Sequence, residues 1–416
     1  MNPRALLIES FRAAVAAADP ARVVPPHLPS PPRGRTLVVG GGKAAAAMAQ
    51  AVESHWPHHT PLSGLVVTRY QHSVPTRRIE VVEASHPLPD GRGEAAALRM
   101  LGMARQLHAD DLLLALLSGG GSSLLAAPVE GVTLGALRQV TRMLLGAGAT
   151  IHDINTVRKH LTQLSGGQLA RAAQGAAVWA LIISDVVGDD PADIASGPCA
   201  PDPSTRADAL TILSRFNIAA PECVLEHLRH PRPHTETAHP GEACFVRADN
   251  HVIARARDSL EAAACVFEQY GIPAYILSDR VSGNAQTVAK QHAALARTLT
   301  SKPLALISGG ETTVTLGPQP GRGGRNGEYL LALACAAREQ GIWAIACDTD
   351  GIDGSEANAG ALLAPDTLAR AQRLGLDVQA ALQGQDSHGF FTALGDLVVT
   401  GPTRTNVNDY RAILLK

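Results

Sequence analysis

Lysine, arginine and clustered aspartates recur in this sequence inside glycine-rich segments, a combination suited to holding anions and stabilising moving charge. Lys43 closes GGGK, with Gly41 and Gly42 before it, and opens an alanine-rich stretch. A cation there opposes the positive end of the helix dipole, so it serves an anionic ligand rather than the helix. Arg322 and Arg325 stand in GRGGRNGE, and Asn155, Arg158 and Lys159 lie in NTVRKHLTQLSGGQ. Arginine meets carboxylate or phosphate through two parallel hydrogen bonds. The segment SGGGSS, residues Ser118, Gly119, Gly120, Gly121, Ser122 and Ser123, follows an apolar run of strand length. Its bare backbone N–H groups and hydroxyls suit close contact with phosphate oxygens.

Acids form two clusters. Asp185, Asp189, Asp190 and Asp193 crowd SDVVGDDPADIASGP, while Asp348, Asp350 and Asp353 lie in CDTDGID. Hard carboxylate oxygens suit Mg2+, which takes one or two of them beside phosphate oxygens. The second cluster begins like an EF-hand, but the twelfth position from Asp348 is Ala359, which rejects calcium. Asp193 and Asp348 read mainly as turn and cap residues. GGGKAAAAMAQ also satisfies G-x-G-x-x-A through Gly40, Gly42 and Ala45. The next strand ends in Thr68 and Arg69 without an acid for a ribose hydroxyl, so only an NADP reading survives, with Arg69 on the 2′-phosphate. A Walker A loop is absent, and residues 120–124 read GGSSL, which lacks the G-x-S-x-G elbow of an acyl-transfer serine.

The elements that must position these groups alternate between short apolar runs and alanine-rich segments, the rhythm of an α/β protein. Predicted strands cover 36–40, 64–68, 79–84, 111–117 and 178–184, then 274–278, 304–308, 342–347 and 396–400. Several are apolar throughout, as in a parallel sheet covered on both faces. The glycine and acid loops all follow predicted strands, where open α/β sheets bind ligands. With 416 residues, two domains are expected, 1–240 and 241–416. The Pro- and His-rich stretch 227–243 reads as the boundary loop, and its His227, His230, His234 and His239 as a solvated surface rather than a metal site. His86, in SHPLPD, suits either a substrate contact or a turn cap. A net charge of −2 offers no field for nucleic acid, and six scattered cysteines without CxxC spacing fit a reducing cytoplasm. No window is apolar for long enough to span a membrane, and the N-terminus lacks the pattern of an export signal. The expected partners are small molecules, and a homo-oligomer is compatible with the patterning.

Taken in order, GGGKAAAAMA, SGGGSSLLAAP, NTVRKHLTQLSGGQLA, SDVVGDDPADIASGP, SGGETTVTL, GRGGRN, DTDGIDG and GPTRTNVND resemble the glycerate 2-kinase family, whose C-terminal part is the MOFRL domain. The resemblance covers nearly the whole chain. It implies a larger Rossmann-like N-terminal domain, a smaller α/β C-terminal domain with an interdomain cleft, and phosphorylation of D-glycerate at C2 by ATP with Mg2+. The family's lysine falls on Lys43 and its arginine on Arg325. These two are expected to hold the substrate carboxylate and the transferring phosphoryl group. Asp189 is expected to orient or deprotonate the hydroxyl or to bind metal, Asp350 or Asp353 with Glu311 to hold Mg2+, and Asn406 to contact substrate. One departure is Gly327, which precedes Glu328 where the family commonly has Gln or Thr. The competing expectations are an NADP-dependent hydroxypyruvate or tartronate-semialdehyde reductase and a non-catalytic sensor of sugar acids or nucleotides.

Overall fold

A strand without a polar position must be sheltered on both faces, and LLLALLS is such a strand. In a computed structural model that describes residues 2–230, 236–300, 302–317, 319–337 and 341–416, all seven of its residues are buried. The chain divides into two units, Pro20–Ile253 and Met1–Asp19 with Ala254–Lys416.

The first unit is built on β1 (Thr36–Gly41), β2 (Leu62–Arg69), β3 (Ile79–Ala84), β4 (Leu112–Ser118), β5 (Ala177–Ile183) and β6 (Ala248–Ala254). Their order is β3-β2-β1-β4-β5-β6, with β1 to β5 parallel. On one face, Leu113, Ala115 and Leu117 of β4 share a core with Ala97, Met100 and Leu101 of the helix Gly91–Ala104. The order reverses between β1 and β4, and such a reversal opens a crevice at the carboxyl ends of the strands. The pairing of Gly41 with Leu117 and of Ser118 with Ile183 brings GGGK, SGGGSS and SDVVGDD to that one edge.

The helix Ile151–Lys159 starts from a capping box in which Thr150 and Asp153 satisfy each other's backbone N–H groups. Ile154 and Val157, one turn apart, pack with Val140, Leu144 and Leu213. The sequence-predicted boundary loop belongs to this unit. His227, in the last turn of the helix Glu222–Arg229, has its Nε2 3.0 Å from the His160 carbonyl, and His239 Nδ1 lies 2.9 Å from the Asp202 carbonyl. Both are structural, and His234 lies outside the described residues.

The second unit holds β7 (Ala274–Asn284), β8 (Leu304–Thr313), β9 (Trp343–Asp348), β10 (Gly360–Leu363), β11 (Leu397–Val398) and β12 (Asp409–Leu415), in the order β11-β10-β9-β12-β8-β7. Only β7 and β8 pair in parallel. The other pairs are antiparallel, so this sheet is mixed rather than parallel throughout. β12 runs between β8 and β9 against both, which brings its first residue to the edge where they end.

The N-terminal helix Pro3–Ala17 belongs here and not with the residues that follow it, in contrast to the expected division 1–240 and 241–416. Its Leu6, Leu7, Phe11 and Ala14 pack with Leu260, Phe267, Ile345 and Tyr410, and the Tyr410 hydroxyl meets Ser10 Oγ at 2.8 Å. The boundary falls at 253/254, because β6 completes the first sheet. Among the described residues no helix is long and apolar enough to cross a membrane.

Candidate active site

In the first unit, the two glycine turns differ in what their amides do. Gly42 N–H donates to the Val67 carbonyl (3.1 Å), Lys43 N–H to Gly119 (2.8 Å) and Ala45 N–H to Gly42 (3.2 Å), while Ala44 N–H reaches Ser118 Oγ (3.0 Å). The turn after β1 is therefore stitched to β2 and β4, and its N–H groups are occupied. Gly42 has φ of 141°, and a Cβ there would fall 2.1 Å from Ser118 Oγ. Gly41, Gly42 and Ser118 thus build the scaffold, and Ser118 is fully buried. Lys43 itself is half-buried.

By contrast, the N–H groups of Gly120, Gly121 and Ser122 donate to no acceptor among the described residues. Gly120 adopts φ of 81° under the ring of His86, whose Cδ2 would lie 2.8 Å from a Cβ at that position. Ser122 Oγ shares a 2.8 Å hydrogen bond with Ser196 Oγ, which donates in turn to Asn155 Oδ1 (3.4 Å). Ser123 Oγ closes its own turn on the Gly120 carbonyl (3.1 Å). Ser196 escaped sequence reasoning. It follows Ala195 in a left-handed pair (φ 60° and 52°), a conformation side chains adopt at a cost and one that recurs at functional sites.

One turn beyond Asn155, Arg158 and Lys159 behave oppositely. Lys159 is buried, with Nζ 3.5 Å from Asp202 and 3.8 Å from Asp193, so two carboxylates neutralise it. Arg158 is half-buried, and among the described residues its guanidinium has no hydrogen-bond or ion-pair partner. Burial alone pulls its pKa down to about 10. Neither residue lies on a solvated face. Asp189 has φ of 57° and is half-buried in the same strand-end loop, whereas the exposed Asp190 accepts from Ala192 N–H (2.8 Å) as a turn residue.

In the second unit, Arg325 is the first residue of the helix Arg325–Ala336. Its Nε donates to both oxygens of Asp409 (2.8 and 3.0 Å), Nη1 to Glu311 (2.7 Å) and Nη2 to Asp348 (2.8 Å). Burial opposes the charge, but the three carboxylates outweigh it and hold the guanidinium protonated more firmly than usual.

Asp353 accepts from the N–H groups of Asn326 (3.0 Å) and Gly327 (2.8 Å) and so caps that helix. Burial pushes it up to about 6, against those two bonds. Asp350 accepts from Ile352 N–H (2.8 Å) and is buried. Of the acids expected at Mg2+, Glu311 pairs with Arg325 and Asp353 caps the helix. Among the described residues no group of three or more His, Cys, Asp or Glu is placed to hold a metal ion.

Asp348, expected to be a turn residue, also grips the arginine. Asn406 is buried, and its Oδ1 accepts from Asn408 N–H (3.3 Å). Asp409 was missed, although a signal existed. Asp409 and Arg411 alternate on one face of the otherwise apolar DYRAILL, and a buried strand face forces two such charges to pair.

A family described as a domain of unknown function, DUF4147, matches residues 6–229, and the MOFRL family matches residues 304–409. A protein of Agrobacterium vitis with the provisional name hydroxypyruvate reductase is 50% identical, across 100% of this chain and 95% of its own. The D-glycerate 2-kinase of Thermotoga maritima is 36% identical over 97% of this chain and 96% of its own. The crystal structure of a Thermotoga maritima glycerate kinase superposes with a TM-score of 0.87 at 36% identity, covering 99% of both chains.

Proposed function

Because the chain belongs to the glycerate kinase family with a MOFRL C-terminal domain, we propose that it transfers a phosphoryl group from ATP, with Mg2+, to the C2 hydroxyl of D-glycerate, giving 2-phosphoglycerate. The observation that carries this reading is Arg158. A half-buried guanidinium that has no partner among the described residues, linked through the Asn155 helix to a turn whose amides likewise find no acceptor among them, suits an anion.

Phosphoryl transfer passes through a loose transition state, so positioning and charge do most of the work. The amides of Gly120, Gly121 and Ser122 with the Ser122 hydroxyl receive phosphate oxygens. Arg158 and Lys43 hold the charge of the substrate carboxylate or the phosphate, and Arg325 is a further charged group for the transferring phosphoryl. Asp189 orients the C2 hydroxyl and accepts its proton. Mg2+ neutralises nucleotide phosphates when bound and needs only one or two protein carboxylates, which Asp189 or Asp350 fits better than a three-carboxylate cage.

The reductase name of the Agrobacterium relative finds less support in this chain. A dinucleotide turn offers its amides to pyrophosphate, whereas those of Gly42, Lys43 and Ala44 are occupied and β2 ends in Thr68 and Arg69. The deciding experiment incubates the protein with ATP, Mg2+ and D-glycerate and identifies the product by phosphorus NMR. A 2-phosphoglycerate signal lost without Mg2+ is expected. Absence of any phosphorylated product, together with NADPH oxidation by hydroxypyruvate, overturns the proposal.

A further inference from the structure

We propose that Asp409, backed by Arg411, is a positioning residue that presents Arg325, and that Asp409, Asp348 and Glu311 form a cradle selective for a guanidinium ion. The assignment of a catalytic role to the cradle rests on the kinase reading; the cradle itself rests on geometry. Asp409 is fully buried and gathers donors from four places: Arg325 Nε, Asn326 Nδ2 (2.8 Å), Thr312 N–H (3.4 Å) and the guanidinium of Arg411. A carboxylate removed from water is retained only when its lone pairs are matched in this way.

Arg411 cannot leave. It is fully buried, lies 5.4 Å over the Tyr329 ring, and donates to Thr312 Oγ1 (3.0 Å) and the Gly309 carbonyl (3.4 Å). Asp409 and Arg411 therefore form a fixed pair, and Asp409, Asp348 and Glu311 together offset the charge of Arg325.

The grip is directional. Asp409 takes the Nε edge of Arg325, while Asp348 and Glu311 each take one hydrogen from a terminal nitrogen. Nη1 and Nη2 thus keep a second N–H apiece, donors available to a phosphate or carboxylate. An arginine held by three acids can in this way still bind an anion without releasing them. Glu311 is the exchangeable partner, since its side chain is 52% exposed against 6% for Asp348 and 0% for Asp409.

The test is chemical rescue of Arg325→Ala by ethylguanidinium at millimolar concentration, with ethylammonium as the control cation. Ethylguanidinium should raise the melting temperature of Arg325→Ala relative to ethylammonium. It should also restore at least about tenfold of the glycerate phosphorylation lost, in a background where removing one essential charge costs about 10²-fold or more. Both effects should vanish in Arg325→Ala/Asp409→Asn, or in Arg325→Ala/Asp348→Asn if the former does not fold. Equal response to the two cations, or full rescue without Asp409 and Asp348, overturns the cradle. If the melting shift appears but wild-type protein phosphorylates no glycerate, the cradle stands and the kinase reading falls.

Discussion

Replacing Arg158 by methionine should make the protein more stable and less able to bind substrate. The guanidinium sits half-buried with its pKa drawn from its ordinary value down to about 10 by burial alone. At about 1.4 kcal/mol per unit, that gap corresponds to an upper bound of about 3 kcal/mol of destabilisation. Water reaching the exposed part of the group lowers the figure, so about 1–3 kcal/mol is the working range. The sign follows from linkage. A cation with a depressed folded pKa weakens the fold at every pH below about 10, and the cost fades only as pH rises beyond it. At neutral pH the full benefit of Arg158→Met is therefore available, and methionine preserves most of the apolar stem. For a unit the size of Pro20–Ile253, 1 kcal/mol moves the melting temperature by roughly 2–4 °C, so a rise of about 2–12 °C is expected in scanning calorimetry. D-glycerate and inorganic phosphate should each raise the melting temperature of wild type but not of the variant, and turnover should fall about 10²–10³-fold. A variant less stable than wild type, or one that keeps the glycerate-dependent shift, refutes the assignment of Arg158 as an anion receptor.

Three further perturbations follow from the local geometry. Gly42→Ala meets Ser118 Oγ at 2.1 Å in a backbone conformation closed to side chains, and should lower stability by about 1–3 kcal/mol in urea titrations; Gly91→Ala, with open space around its Cβ, should be neutral. Gly327→Gln, which restores the common family residue, places Cβ 2.5 Å from Ser387 Oγ and 2.9 Å from Ser387 Cβ. It should destabilise by about 1–3 kcal/mol, and Ser387→Gly should recover at least about 1 kcal/mol of that in a double-mutant cycle; simple additivity contradicts the packing account. His292, buried with Nδ1 2.9 Å from the Tyr329 hydroxyl, has its pKa lowered to about 4 by burial and then by Arg411. Its unfolded form takes up a proton first as pH falls from about 6.5 to 4, so this group should withdraw about 3 kcal/mol of stability over that interval. Unfolding free energies of wild type and His292→Phe that run parallel from pH 7 to pH 4 exclude this.

The strands flanked by glycine were legible because their apolar runs are uninterrupted. Each expected strand up to β5 lies within about two residues of its observed limits, in line with the usual uncertainty of element ends. The unread strands had competing signals. β6, ADNHVIA, is polar at its start and only partly buried, and β12 begins inside the polar segment TNVND. Missing β12 hid the antiparallel character of the second sheet, and with it the reason why Asp409 stands opposite Asp348. The pairing of the first helix with the last third of the chain had no local signal. Its apolar stripe shows that something covers it, and only tertiary packing says what.

Residue type alone marked cations, acids and glycine turns as equivalent candidates, and the distinction between them lies in whether each group's bonding capacity is met inside the fold. Lys159 and Arg158 are adjacent, yet the first is neutralised by Asp193 and Asp202 while the second is not. The turn after β1 and the turn after β4 are both glycine-rich, yet the amides of Gly120, Gly121 and Ser122 in the second find no acceptor among the described residues. Arg411 and Arg325 share Asp409, yet Arg411 is closed in the core and Arg325 is partly exposed. Folding meets the bonding capacity of buried polar groups wherever it can, because each unmet group weakens the native state. Groups left unmet at a strand-end crevice therefore mark where a ligand completes the structure. By that measure the receptor proposed for the first unit is Arg158 with Gly120, Gly121 and Ser122, and the glycine turn before Lys43 is its proposed frame.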